Sequence, residues 1–245
     1  MVVREVHQGD GLAWLRQAKL GVEHAIVTSL PDISERVTSD THWRDWFIDA
    51  AELVLRQVHE DAVAVFYQTD VKRDGLWIDK SFLLQLAAER VQSGLLFHKV
   101  VCRVPAGTTT FGRPAYAHVL AFSRRHRLQT GQSTADVLPR LGAMVWSRAM
   151  GSEACDVICR FLIAQTACRI VVDPFCGRGT ILAAANAHGL DACGIELSRK
   201  RVEFARRLQW YLKADTSSPS GPSNRQARSR GNDRPVPQQE ASPKR

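Results

Sequence analysis

Apolar positions along the chain follow two rhythms. In residues 43–58 (WRDWFIDAAELVLRQV), Trp43, Trp46, Phe47, Ala50, Ala51, Val54 and Val58 recur every three or four positions, the stripe of an amphipathic helix. Residues 62–68 (AVAVFYQ) are instead a continuous apolar run that ends in polar residues, the pattern of a strand buried on both faces of a parallel sheet. Similar short runs at 2–6, 23–29, 94–102, 116–123, 169–172 and 192–196 predict further strands. Segments 11–19, 81–92, 151–165, 180–187 and 199–211 predict helices. Repeated β-α-β alternation of this kind specifies an α/β fold, a doubly wound Rossmann-like sheet in one domain. His98 and His118 interrupt apolar strands and are read as hydrogen-bonded core histidines.

The rhythm stops near residue 214. The stretch from Asp215 onward is rich in Ser, Pro, Gly, Arg and Gln, has no aromatic residue, and carries +3 of the chain's net charge of +8. Such a segment cannot bury enough surface to offset its ordering entropy. The expected organisation is a folded domain over 1–213, with halves at 1–130 and 131–213, and a disordered basic tail over 214–245. The chain's 245 residues suit one sizeable core. A hydrophobic fraction of 44% and a charged fraction of 24% exclude a disordered chain, a collagen and a coiled coil. No apolar run is long enough to span a membrane, and the charged opening MVVREVHQGDG lacks the core of a secretory signal, so a cytoplasmic location is expected. The basic balance suits a polyanionic partner. The cysteines, Cys102, Cys155, Cys159, Cys168, Cys176 and Cys193, lie mostly within apolar runs without CxxC pairs. They are read as reduced core residues, and no metal site is expected.

The segment most informative about chemistry spans 169–208. An apolar strand runs into a tight loop, Asp173-Pro174-Phe175-Cys176-Gly177-Arg178-Gly179-Thr180, which opens into an alanine-rich helix. The next strand ends in Glu196. Glycines at 177 and 179 let the backbone approach a ligand, and an acid closing the following strand can hold both hydroxyls of a ribose. The order is not the GxGxxG of dinucleotide sites.

DPFCGRGT resembles the DPFxGxGT signature of S-adenosylmethionine-dependent methyltransferases acting on nucleobases. The resemblance implies a cofactor site built from Asp173, Pro174, Phe175, Cys176, Gly177, Gly179, Thr180 and Glu196, with Asp173 near the methionine amine and Glu196 on the ribose. That loop lies late in the chain, so the catalytic half must precede it. The opening GDGL, with Asp10 as a further cofactor residue, is similar to the first element of the permuted amino-methyltransferases of DNA and RNA. Ser29-Leu30-Pro31-Asp32 falls where that family carries its [DNS]PP[YFW] catalytic loop. The implied fold is therefore a methyltransferase sheet with permuted motif order.

The 29–32 loop departs from the family by lacking the second proline and the aromatic residue that stacks on a displaced base. An Asn-Leu-Pro loop occurs in tRNA guanine-N1 methyltransferases, which Ser29-Leu30-Pro31 resembles. The likeness to the amino-methyltransferase loop implies that Ser29 and the Leu30 carbonyl accept from a target amine, and the likeness to the tRNA enzymes implies that Asp32 takes a ring-nitrogen proton; the other reading of Pro31-Asp32 is a turn with Asp32 as a helix cap. Stacking would fall to Tyr67, Trp77 or Trp146. Asp70 and Lys72, beyond an apolar strand, are candidates for substrate contact or for a solvated loop. Lys99, Arg103, Arg113, Arg124, Arg125 and Arg127 are candidates for phosphate contact. A DNA-reading enzyme needs a module that reaches base edges. The chain leaves little room for one, so RNA is favoured over DNA, with a protein partner as an alternative route to recognition. A cofactor-binding adaptor without catalysis is the reading from another class.

Overall fold

The computed structural model describes residues 2–32, 40–129, 131 and 133–210. Its strands are β1 (Arg4–Gln8), β2 (His24–Thr28), β3 (Ala64–Gln68), β4 (Val71–Arg73), β5 (Leu76–Ile78), β6 (Gly94–Cys102), β7 (Tyr116–Ser123), β8 (Val137–Leu138), β9 (Ile170–Asp173) and β10 (Asp191–Glu196). Its helices are α1 (Gly11–Gln17), α2 (Asp40–Gln57), α3 (Lys80–Arg90), α4 (Ser152–Gln165), α5 (Thr180–Ala187) and α6 (Arg199–Arg207). The tail expected from residue 214 lies outside the described residues.

Eight strands form one sheet in the order β1-β10-β9-β2-β3-β7-β6-β8. The first five run parallel. β7 is antiparallel to both β3 and β6, so the sheet is mixed. Periodicity alone does not carry that sign: β7 is as apolar as a parallel strand because both its faces are covered.

Helices cover both faces. Along β3, Ala64 and Phe66 point toward α1, α2 and α3, where they join Trp43, Phe47, Val54 and Leu84. Val65 and Tyr67 point the other way, into a core shared with Ile158 and Leu162 of α4, Ile181 of α5 and Val202 of α6. This alternation is the two-residue period of a strand set between two helical layers. Asp10 starts α1 by accepting from the Ala13 amide at 2.8 Å, and Asp79 starts α3 by accepting from the Phe82 amide at 3.0 Å. Both are side-chain caps of otherwise orphaned amides.

The β4–β5 hairpin is an element the apolar pattern does not show. Its strands are only three residues long and carry Lys72 and Arg73, so no alternation develops. The local signal is the Asp74-Gly75 pair: both residues are left-handed, with φ of 51° and 75°, as a two-residue hairpin turn requires.

Trp43 and Phe66 are both fully buried. Truncating either to Ala should cost about 3–5 kcal/mol, the usual penalty of an aromatic cavity. Urea unfolding of Phe66→Ala beside the wild type checks this; a change under about 1 kcal/mol would show that β3 is not central to the core.

Candidate active site

The strand order reverses between β9 and β2. From β9 the chain passes through α5 to β10 on one side, and from β2 it passes through α2 to β3 on the other. Open α/β sheets hold ligands at such a switch point, outside the carboxyl ends of the strands. The loops after β9 and β2 both emerge there, bringing 173–180 beside 29–32.

Asp173 closes β9 and joins the two loops. Its Oδ1 accepts from the Thr28 hydroxyl at 2.6 Å and from the Phe175 amide at 3.0 Å. The carboxyl is 2% exposed. Burial drives its pKa up, the Thr28 and Phe175 bonds pull it back, and the Glu196 charge adds a little upward, leaving it at about 7. Both donors are neutral, so a cation entering the crevice would relieve the cost of the ionised form.

The rest of the loop is shaped by close approach. Cys176 N donates to Ile195 O at 3.0 Å, and Gly179 N donates to Cys176 O at 2.7 Å. Gly177 and Gly179 are left-handed, with φ of 55° and 76°. A Cβ on Gly11 would lie 1.9 Å from the Pro174 carbonyl oxygen, so the start of α1 rests directly on the loop. At the far lip Glu196 accepts from Ser198 N at 2.8 Å, and Arg201 stands 3.6 Å away.

These elements enclose a cleft of about 340 Å³. Of the residues the sequence nominates, Asp10, Ser29, Leu30, Pro31, Asp173, Pro174, Phe175, Cys176, Gly177, Thr180 and Glu196 line it. Gly179 does not: a Cβ there would meet Ala205 of α6 at 2.8 Å, so this glycine serves helix packing. Asp32 lies instead on a second pocket, of about 70 Å³, that abuts the first. Ser29, Leu30 and Arg148 line both, so the first two residues of the 29–32 loop form the wall between the pockets. Pro31 O accepts from the Trp43 indole at 3.3 Å, which ties this loop to α2.

The second pocket is polar. Lys80, itself buried, places Nζ 3.5 Å from Asp32 Oδ1, and Arg103 and Arg113 stand on the rim. Gln68 is 1% exposed, and its Nε2 has no hydrogen-bond partner among the described residues. A buried amide donor left open in a pocket is costly unless a ligand acceptor reaches it.

Several expectations change. Asp70 is not a solvated loop residue: it accepts from Trp77 Nε1 at 3.1 Å, Lys80 N at 2.9 Å and His118 Nε2 at 2.9 Å. Burial pushes its pKa up, but these bonds outweigh that and leave it below the ordinary value. His118 also shares a 2.8 Å hydrogen bond with His98, so both histidines are satisfied in place. Lys72 donates to Thr110 O at 3.3 Å. Of the stacking candidates, Tyr67 is largely buried but lines the second pocket, with its hydroxyl pushed up to about 12 by burial, whereas Trp77 already stacks on Tyr116. Trp146 lines the larger cleft rather than the second pocket. Lys99 is buried against Thr134 O, Ala135 O and Asp136. Arg124, Arg125 and Arg127 follow the end of β7 that lies beside the start of β3, away from the crevice; Arg124 donates to Val58 O, and Arg125 pairs with Glu60.

Trp46 is a lining residue the sequence reading does not nominate; it meets Phe175 edge-on at 6.4 Å. It belongs to the α2 stripe, so its pattern reads as core. Gln68 and Lys80 are likewise hidden, one as the last residue of an apolar strand and the other as the first residue of a helix. Cys155, Cys159, Cys168 and Cys176 are buried, and burial holds their thiols above the ordinary range.

No protein-family model matches the chain, and no curated protein matches it. Solved structures do. A Thermus thermophilus protein assigned as a DNA modification methylase, complexed with S-adenosyl-L-methionine, is 19% identical, with 83% of this chain and 91% of that chain covered and a TM-score of 0.66. The cytosine-N4-specific PvuII DNA methyltransferase is 14% identical over 87% of this chain and 89% of its own, also at 0.66. M1.HpyAVI in its SAM complex is 13% identical over 83% and 97%, at 0.56. The chain has the fold of these methylases, as the permuted motif order implies.

Asp173 generates a pH dependence. An unfolded Asp titrates near 3.9, so a folded value of about 7 means that the fold disfavours the ionised form. Below about pH 4 both states are protonated and no cost arises; the cost grows between about 4 and 7 and is complete above. Ligand-free protein should lose roughly 4 kcal/mol of stability across that window through this group. Asp173→Asn should flatten the slope in urea titrations at several pH values. An unchanged slope would mean that Asp173 does not carry it.

Proposed function

We propose that the chain transfers the methyl group of S-adenosyl-L-methionine to a nitrogen of a nucleobase. The observation that carries this reading is the pair of abutting pockets with Ser29 and Leu30 as their shared wall. The larger cleft suits the cofactor. Its left-handed glycine at 177 and the close seat of Gly11 on Pro174 leave the backbone open to a ligand, and the buried Asp173 carboxyl, with only neutral donors, favours one that carries an ammonium group. Asp173 would hold the methionine end, and Glu196 at the opposite lip would hold the ribose. When bound, this cofactor supplies an electrophilic methyl group on a sulfonium sulfur.

The chain's own residues then have three tasks. Ser29 Oγ and the Leu30 carbonyl accept from the N–H groups of the acceptor, which points its lone pair into the larger cleft. Asp32 receives the proton released as the nitrogen becomes methylated. The Gln68 amide, open in the second pocket, donates to an acceptor atom of the base. An adaptor without catalysis has no use for an acceptor pocket that opens against the cofactor cleft.

The preference for RNA rested on the lack of room for a DNA-reading module. This chain covers 91% and 89% of two proteins whose names place them on DNA, so its length suits DNA equally, and DNA is the first acceptor to test. Tritium transfer from labelled S-adenosylmethionine into DNA, RNA and protein fractions decides between them. Label in protein alone would remove the nucleobase assignment.

Two variants separate the pockets. Glu196→Ala should weaken cofactor binding by about 10- to 100-fold, the worth of a charged hydrogen-bonding partner, as read by calorimetry. Asp32→Ala, with Asp32→Asn as the shape-preserving companion, should bind cofactor normally while transfer falls by about 10²-fold or more. Wild-type transfer by both Asp32 variants would leave Asp32 as no more than the ion-pair partner of Lys80.

A further inference from the structure

Two short segments rise from the rim of the second pocket. The β4–β5 hairpin leaves at Asp70 and returns at Lys80. The segment between β6 and β7 leaves at Arg103 and comes back through Arg113. All four of these residues line that pocket. The segments are also tied to each other and to the rim. Lys72 Nζ donates to Thr110 O at 3.3 Å and lies 4.6 Å over the Trp77 ring. Trp77 stacks on Tyr116 and donates to Asp70, and Arg113 donates to Ser147 O at 3.1 Å.

The roots are fixed, but the tips are bare. Phe111 is 93% exposed and Leu76 is 73% exposed. Nothing lies within 4 Å of where a Cβ would stand on Gly75, Gly107 or Gly112, the glycines of the two turns. Neither apolar tip contributes to the core, so burial of a fold-stabilising surface does not account for them. Lys72, Arg103 and Arg113 below the tips, and Arg73 opposite Leu76 beside the turn, supply cations, while the exposed acid of that turn, Asp74, is 3.5 Å from Arg73.

We propose that these segments are two prongs that engage duplex DNA, with Phe111 and Leu76 entering the base stack and Arg73, Arg103 and Arg113 meeting phosphates. This rests on the nucleobase reading above. A base within a duplex cannot reach a pocket sunk beneath a rim; it has to leave the stack. Apolar side chains that wedge between base steps favour that displacement, and their tolerance of sequence comes from the faces that every base presents. The 29–32 loop carries no aromatic residue and the second pocket is lined by one, Tyr67, so a wedge that lowers the cost of leaving the stack complements a pocket with few groups to hold the displaced base.

The test uses the full chain, a fluorescein-labelled duplex of mixed sequence containing 2-aminopurine, and saturating S-adenosylhomocysteine. Phe111→Ala and Leu76→Ala should each weaken duplex binding about tenfold and reduce the 2-aminopurine unstacking signal, with cofactor affinity and thermal midpoint unchanged. Their salt dependence should match the wild type, whereas Arg73→Ala should lower the salt slope by about one. A duplex mismatched at the probe should restore binding by the prong variants. Equal duplex binding and equal unstacking by wild type and both prong variants would overturn the prongs and leave the nucleobase reading standing. A wild-type chain that binds neither duplex nor single strands would overturn both.

Discussion

The site depends on one seam. β2 and β9 pair in parallel, and the Thr28 hydroxyl donates to Asp173 across 145 residues of chain. That bond sits where the strand order reverses. It holds the loop after β2 against the loop after β9, so that Ser29 and Leu30 become a wall of the cleft shaped by the 173–180 loop. It also partly solvates a carboxyl that burial would otherwise leave exposed to the low-dielectric interior. Without that pairing, the two halves of the chain would each carry an incomplete loop.

The second pocket follows from the next strand over. β3 ends in Gln68 beside β2, and Asp70 turns the chain outward. Asp70 accepts three hydrogen bonds, from a backbone amide, an indole and His118, so a buried acid fixes the root of the hairpin. The same backbone amide belongs to Lys80, whose side chain reaches Asp32. Acids and bases here act in series: Asp70 places Lys80, and Lys80 places Asp32. A pocket built this way is held at its wall and at the roots of the two segments that rise from its rim.

Most of the scaffold was legible because burial on two faces writes a strong apolar signal. The strands at 94–102 and 116–123 match their runs, and α4 and α5 lie within a residue of theirs. The 173–180 loop was legible as a tight strand-to-helix turn because glycines stand at 177 and 179, where the backbone is left-handed. What the pattern left out has physical reasons. Antiparallel β7 reads like a parallel strand once both faces are covered. The hairpin is too short for alternation. Trp46, Gln68 and Lys80 face the pockets from elements whose neighbours are core, and only the tertiary arrangement picks them out. Lys99 and Arg124 looked available for phosphate because charge count carries no direction; one is buried, and the other lies at the far end of its strand. Gly179 matched the motif, yet its backbone serves the packing of α5 on α6.

The central claim is that one crevice at the β2–β9 seam holds a cofactor-like ligand against the 29–32 loop. Hydrogen–deuterium exchange with and without saturating S-adenosylhomocysteine tests it most directly. The account expects protection of peptides spanning 9–12, 29–32, 173–180 and 195–198 together, with the 124–127 segment unchanged. Protection confined to segments away from the seam, or none at saturation, would contradict it.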